Sequence, residues 1–556
     1  MKSIRPSPIF AAVALAAACL GLPSLRAAAP TRADAEKDPV LRAMLTELDR
    51  SKADLQLQGF ARPFFLQYRV EDVEDFETRA AYGSSQGSQR SHQRVARVTV
   101  RVGDYKTDSS GARADGSIEL AALDDDPIAL RSALWMATDQ AYKAALAAYA
   151  QKQAALKQVQ TPPQADDFSH ETPVVWLAAP LRLELDEAAW TARVSRSSGL
   201  YRTDPAVKDT QHDVRYSFGR FSARVITTWL VTSEGAILRK SAASYQQSVS
   251  VGAQAADGMR LDRSYASASP RLDDLDAEAD FARHTVGLLA SLTALRKSPL
   301  VEEEYHGPLL LSADAGADTM RALIGGAVTA TRPQLGTEAR TNGPFANSLH
   351  ARVLPEFLDV VDDPLLASFN GRGLLGAYAV DDEGVPAQTV KLIEAGRLEN
   401  YLLGREPVRD FPRSNGHGRA SVAGPARPSI GVLKVTAKEG LADTELDRKL
   451  LDLARDRGLK SAYAVETMGS ELTPRLLYRV SLDGTRELVR GATLDDLDQR
   501  ALRSGVVAAG KDLFVANLAG DSTPETVLAP AMLLEEVTVR RANEKNDKLP
   551  FYPPPE

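Results

Sequence analysis

Apolar and polar residues alternate with period two along some stretches of this chain and recur at helical spacing along others. Asp38 caps and Pro39 opens a helix predicted to run to about Ala53. Phe64, Leu66, Tyr68 and Val70 then alternate along a strand, and Ala96, Val98, Val100 and Val102 along a second. The two read as an antiparallel pair with one buried face, joined by a polar loop, GSSQGSQRS, at residues 83–91. The run Asp124-Asp125-Asp126 before Pro127 reads as a capped, dipole-matched start to a long helix reaching about Val159, rather than as a calcium site. On that helix Leu134, Ala141 and Ala148 form a packing stripe flanked by Trp135, Tyr142 and Tyr149. A further helix is predicted from Asp186 to about Ser198. A strand meander follows from Val225 to Ala268, turning at Ser233-Glu234-Gly235. A helix from Asp274 to Lys297 buries Phe281, Thr285, Leu288, Leu292 and Leu295, with His284 at its boundary.

The segment SPLVEEEYH, 298–306, has the composition of a linker. After it comes a short buried strand, Leu309 to Leu311, running into a helix. Ser312 and Asp314 are available as caps, and Met320, Leu323, Ile324, Ala327 and Val328 fall at helical spacing. Gly325 and Gly326 sit side by side near its end, which predicts close approach of another backbone. Beyond it the pattern is short apolar runs separated by Gly, Asp and Pro, interrupted by one helix from Asp443 to Arg457. The tail KNDKLPFYPPPE reads as extended and mobile.

At 556 residues the chain is too long for one ordinary domain, and its apolar and charged fractions are those of a soluble protein. Residues 1–29 read as a secretory signal: Lys2 and Arg5, an apolar core from Ile9 to Leu22, and the small exit Ala27-Ala28-Ala29. The expected organisation is therefore signal 1–29, N-terminal domain 30–298, C-terminal domain 307–545 and tail 546–556. No later segment reads as a membrane span, so an exported, periplasmic or extracellular protein is expected. Cys19 is the one cysteine; Ala16 stands where a lipoprotein signal usually has a larger aliphatic, so lipid anchoring there is the lesser reading. Without the signal no thiolate remains for a metal. Removing its three basic residues takes the formal charge from −7 to −10, which argues against nucleic acid as a partner.

No HExxH occurs: His170-Glu171 has Val174 where the second histidine belongs. No two histidines are three or four residues apart, and no phosphate loop appears. Two segments stand out. Phe357 to Leu403 reads as a strand, a glycine-rich loop, a strand, an acidic turn at Asp381-Asp382-Glu383-Gly384 and a hairpin closed by Glu394-Ala395-Gly396. Ser414 to Val435 opens with SNGHGR, which places Asn415, His417 and Arg419 on a glycine-rich loop. Taken singly, both read as surface turns.

Together, AVDDEGVPAQ, LIEAGRL and NGHGR resemble the C-domain pattern of the TldD/PmbA family of metallopeptidase-related proteins. The first two hundred residues, with RVGDY and the DDDP helix start, resemble a secreted branch of it. The resemblance implies an α+β, two-domain fold with an α/β N-terminal domain and a β-rich C-terminal domain, and a dimer enclosing a peptide-accessible cavity. In metal-bearing members a helix carries HExxxH and a late cysteine adds a third ligand. Placed on this chain, those helix positions fall at Gly325, Gly326 and Ala330, and the region 517–520 has no cysteine. No histidine lies between His306 and His350, so a shift of register does not restore the motif.

The resemblance thus points to the family's non-metal subunit type. No cofactor is expected. The partner would be a zinc-bearing TldD-like chain, or a second copy, and the ligand a peptide. Asn415, His417 and Arg419, with Asp381, Asp382 and Glu383, are the candidates to hold it. The alternative is a stand-alone hydrolase or peptide-binding scaffold built on the His417 loop.

Overall fold

The computed structural model describes residues 29–556 except 112–115, 520–522, 544–545, 551, 553–554 and 556. The expected export signal, but for Ala29, lies outside the described residues, and Cys19 with it. No helix among the described residues is long and apolar enough to cross a membrane.

The N-terminal half is built on one antiparallel sheet of long strands. Helix α1 (Pro39–Asp54) is capped by Asp38, whose carboxylate accepts from the Val40 and Leu41 N–H groups. Strands β1 (Pro63–Ala81) and β2 (Ser84–Val102) follow, then β3 (Ser117–Ala121) and α2 (Pro127–Leu156), capped by Asp126. After β4 (Val175–Leu177) come α3 (Glu187–Thr203), β5 (Val214–Thr232), β6 (Ile237–Gln254), β7 (Arg260–Ser269) and α4 (Glu278–Lys297). The strand order is β3-β2-β1-β5-β6, with β4 and β7 both on the outer side of β6.

Alternation sorts the side chains of this sheet. On β1, Leu66, Tyr68, Val70 and Phe76 share a face with Val98 and Val100 of β2 and Phe221, Trp229 and Val231 of β5. All four helices cover that face: α1 and α2 at one end, α3 and α4 toward the other. The predicted stripe of α4 is buried throughout, and Leu134, Ala141 and Ala148 of α2 are buried with Tyr142, while Trp135 stays exposed. The opposite face of the same strands carries Gln67, Arg69, Glu71, Arg97 and Arg101, and against it the C-terminal half docks.

The C-terminal half is an 11-stranded mixed sheet. Its elements are β8 (Tyr305–Leu311), α5 (Ala313–Met320), β9 (Leu358–Asp362), β10 (Val390–Glu394), β11 (Arg397–Leu398), β12 (Val432–Ala437) and α6 (Asp443–Asp456). Then come β13 (Ser461–Met468), β14 (Pro474–Ser481), β15 (Arg486–Val489), β16 (Ala492–Leu494), α7 (Gln499–Gly505), β17 (Val506–Leu518) and β18 (Glu525–Arg541). The order is β11-β10-β9-β12-β18-β8-β13-β14-β15, with β16 and β17 also paired to β18. Strand β8 is covered on both faces: Leu309 and Leu311 enter the core beneath α5, and Leu310 packs with Leu446 and Leu450 of α6. In the tail, Arg260 pairs with Asp547 and Gln254 lies 3.5 Å from the Lys548 carbonyl.

Three local expectations are corrected. Residues 84–91 are not a loop but the first half of β2, paired to β1 through a Tyr82-Gly83 turn in which both residues have positive φ. Their polarity reflects solvent exposure, not irregular backbone. The helix after β8 ends at Met320, where the chain widens into a π-type turn over Arg321–Gly325 and turns away. It then leaves as an extended segment, with the Ala330 N–H donating to the Leu402 carbonyl at 3.0 Å. The Gly325-Gly326 pair does not mark a backbone contact. A Cβ at Gly325 would meet Ile430 Cδ1 at an ordinary 3.5 Å, and one at Gly326 would meet nothing within 4 Å.

A glycine that does allow close approach is Gly376, where a Cβ would run into the Gly431 carbonyl and the Thr526 backbone nitrogen. Gly326→Ala is therefore expected to leave thermal stability unchanged or raise it by up to about 1 kcal/mol. Gly376→Ala is expected to cost about 1–3 kcal/mol through overpacking. Thermal or denaturant melts of both variants check the pair.

Candidate functional site in the cleft between the halves

The predicted loop from Ser414 to Pro428 is held at both ends. The Asn415 side chain accepts from the Leu403 N–H at 2.9 Å and donates to the Tyr401 carbonyl at 2.8 Å. His417 is fully enclosed, with 0 % of its surface exposed. Its Nε2 donates to the Asp362 carboxylate at 3.1 Å, and its Nδ1 lies 3.0 Å from the Asn415 carbonyl. Asp362 is itself buried and accepts from the Gly431 and Val432 N–H groups. Arg419 is 9 % exposed, stacked 4.0 Å over the Tyr378 ring and 3.9 Å from Asp382. Further on, the loop meets the polar face of the N-terminal sheet: Arg69 donates to the Gly424 carbonyl, Arg97 to the Ala423 carbonyl at 2.7 Å, and Glu71 accepts from the Ala423 N–H.

The acidic turn lies against this loop. Asp381 accepts from the N–H groups of Glu383, Val385 and Gly418 at 2.8–3.0 Å, which fixes the turn. Burial and the neighbouring Glu383 charge push its acid up to about 8, against those donors. Asp382 behaves oppositely. Burial opposes its ionisation, but Lys240 at 2.8 Å, Arg419 and Arg69 outweigh it and hold the acid down at about 2. Glu383 accepts from the Arg405 N–H at 2.7 Å, and burial raises its acid above the ordinary range, with Glu406 adding to the shift.

Arg405 is the residue that sequence reasoning missed. It is 2 % exposed and crosses from the C-terminal half into the N-terminal one. Its guanidinium is bidentate to Glu234 at 2.6 and 2.9 Å, donates to the Ser169 carbonyl, and lies 3.9 Å from the Phe168 ring centroid. Arg101 lies over the same ring at 4.2 Å. The one available signal was Glu234, placed in a turn between two strands where a carboxylate has no local partner.

Beside Arg405 opens a cleft of about 460 Å³, lined by the end of α2, by residues 330–335, and by Glu383, Arg405, Glu406 and Arg427. A narrow second lobe of about 60 Å³ continues past Arg69, Arg97 and Arg101. Of the predicted peptide-holding set, Glu383 alone lines these lobes. His417 and Asn415 are structural, since the glycine-rich loop is packed inward rather than presented to solvent. Of the three positions aligned with a metal motif, Ala330 lines the cleft, Gly325 is buried, and Gly326 faces solvent. Among the described residues no three His, Cys, Asp or Glu side chains come together as a metal-ligand group. Asn517, at the place of the late cysteine, instead braces the halves: it donates to the Ala268 and Gly373 carbonyls and accepts from the Leu375 N–H.

Residues 304–541 match the PmbA/TldA metallopeptidase C-terminal domain, so the C-terminal half is related to the PmbA/TldD family. Metalloprotease MJ0996 of Methanocaldococcus jannaschii is 34% identical over 97 residues, 17% of this chain and 20% of that protein, so the match spans about a fifth of the relative's length. TldE of Thermococcus kodakarensis superposes with a TM-score of 0.59 at 13% identity, covering 89% of this chain and 99% of that one. TM0727 of Thermotoga maritima gives 0.57 at 14% identity over 90% and 99%. The chain shares their two-domain α+β fold.

Arg405→Ala leaves the part-buried Glu234 with the Tyr105 hydroxyl but without its cation, and is expected to cost about 1–3 kcal/mol, read by denaturant melts. For Asp381 the folded acid, near 8, lies above the ordinary unfolded value of 3.8, so the folded state binds the extra proton between them. That contribution is present at low pH and lost as pH rises. Wild type should therefore lose stability relative to Asp381→Asn from pH 4 to 8, by up to about 1.4 kcal/mol per pH unit. Paired melts across that range check it.

Proposed function

We propose that this chain is a non-catalytic, peptide-holding subunit that completes a peptidase with a separate zinc-bearing chain of the TldD type. The observation that carries the reading is chemical. At the positions where metal-bearing relatives are expected to place two histidines and the catalytic glutamate, this chain has Gly325 and Gly326 at the end of a π-type turn and Ala330 on the extended segment beyond it. Asn517 occupies the region of the third ligand and is committed to bracing the two halves. The cleft next to Ala330 nevertheless persists, lined by cations and apolar side chains suited to a peptide. The fold shared with TldE and the relation to metallopeptidases support the same reading. The basic, apolar and small-residue pattern of residues 1–29 supports export of the complex.

A hydrolase using His417 as its base is the weaker reading, because that ring is enclosed and both its nitrogens face protein oxygens. Co-expression with a candidate zinc-bearing chain, affinity capture through this subunit and zinc analysis of each chain test the proposal. One zinc on the partner and none on this chain is the expected result. Near-stoichiometric zinc on this chain, or chelator-resistant peptidase activity from it alone, would overturn it.

A further inference from the structure

Cations dominate the wall of the cleft. Lys152, Arg332, Arg405 and Arg427 line the main lobe against two carboxylates, Glu383 and Glu406. The second lobe adds Arg69, Arg97 and Arg101. This is a local arrangement, because the chain as a whole is acidic, with a formal charge of −7. Counter-charges sit behind the wall: Asp167 pairs with Lys152 and Arg332, Asp108 with Arg101, and Glu234 with Arg405. Asp108 and Asp167 are buried, so the guanidinium and ammonium groups, rather than these carboxylates, form the lining. Hydrogen bonding is also incomplete. Arg69 and Arg405, 1 % and 2 % exposed, each keep a buried Nε without a hydrogen-bond partner, as does Arg101, although Arg69 Nε lies 3.5 Å from Glu71.

Apolar side chains share the main lobe, contributed by Ala155, Ala330, Pro333, Leu335, Ala426 and Pro428, with Ser110, Gln151, Thr331 and Gln334 as neutral polar lining. A doubly charged phosphate would meet Glu383 and Glu406 at close quarters. A single negative charge carried on an apolar body matches the wall better. Among these cations Arg427 is exposed, borders both lobes, and sits on the short ladder that pairs it with Arg419.

We infer that the cleft is a carboxylate-recognition site, taking a peptide by a carboxylate beside Arg427 with an apolar side chain against the Pro333–Leu335 wall. The inference rests on the reading of the cleft as peptide-holding. The carboxylate has two sources, a chain terminus or an acidic side chain.

The test measures binding of the purified protein, without a partner, to N-acetylated heptapeptides by calorimetry at low salt. One ends in leucine as the free acid, one is its C-terminal amide, and one is an amide ending in glutamate. A charge-assisted pair predicts that the free acid binds about tenfold or more tightly than the leucine amide. In Arg427→Gln, with an unchanged melting temperature, that preference should fall to about twofold or less. If the glutamate amide matches the free acid, the site reads a carboxylate from either source; if it matches the leucine amide, the site reads the chain terminus. Equal binding of acid and leucine amide would overturn the inference while leaving peptide holding intact. Binding of none of the three would overturn peptide holding itself, and the inference with it. A preference undiminished in Arg427→Gln would place the carboxylate elsewhere and also overturn the assignment.

Discussion

Much of this structure hangs on one buried cation. Arg405 leaves the C-terminal half beside Glu383, enters the N-terminal half, and there meets Glu234, the Ser169 carbonyl and the Phe168 ring. A guanidinium taken out of water is costly unless its geometry is nearly complete, and a bidentate carboxylate with an aromatic face supplies most of it. Three consequences follow from that one placement. The turn at 233–235 is clamped to the second half, Phe168 is fixed where Arg101 also packs on it, and the Glu383 carboxylate is drawn to the rim of the cleft by the Arg405 N–H. The cleft therefore exists because the two halves are tied at its side.

The same interface explains which parts of the fold were legible in the sequence. Along FLQYRVE, residues 65–71, alternation marks Leu66, Tyr68 and Val70 as a buried face, and the helices do cover it. The intervening Gln67, Arg69 and Glu71 look like a solvated face, yet all three are buried. Their covering surface lies some 350 residues away in the chain, in a loop that itself reads as polar and glycine-rich. Period-two patterning reports hydrophobicity, and it is silent when two polar faces satisfy each other. Residues 84–91 fail for the complementary reason: the strand is real, but nothing apolar needs covering there. Helices with a capping aspartate or an apolar stripe, α1, α2 and α4, were readable because their signals are local.

At the candidate site, the sequence reads the loop and the acidic turn as exposed, whereas His417, Arg419, Asp381 and Asp382 are buried. The acidic turn and the NGHGR loop do come together, with Gly418 bonded to Asp381 and packed on Glu383. A Cβ at Gly418 or Gly404 would meet the Glu383 side chain, so these glycines serve to seat one carboxylate. His417 is enclosed beside it, with Asp362 and Asn415 as its partners. A histidine among glycines reads as an accessible reactive group, but here the glycines let neighbouring backbone close over it. Conversely, Arg405 and Arg427 carry no motif at all; their importance comes from what three separate segments place around them.

That division of labour bears on why such a cleft would hold a substrate rather than cut it. Cutting a peptide bond needs a nucleophile or an activated water and a group free to move a proton at the scissile carbonyl. Around this cleft the carboxyls have partners: Asp381 three backbone donors, Asp382 Lys240 and Arg419, Glu383 the Arg405 N–H, and Glu406 the Arg101 guanidinium at 3.4 Å. His417 is sequestered between Asp362 and Asn415. Most of the charge presented to the cavity is positive, beside Glu383, Glu406 and apolar surface, a lining suited to orienting and retaining a chain. A site of that composition adds binding energy that is much the same in ground and transition states. Such uniform binding accelerates nothing by itself, and becomes useful when the reacting group stands on another chain and the task is to keep a flexible peptide within its reach.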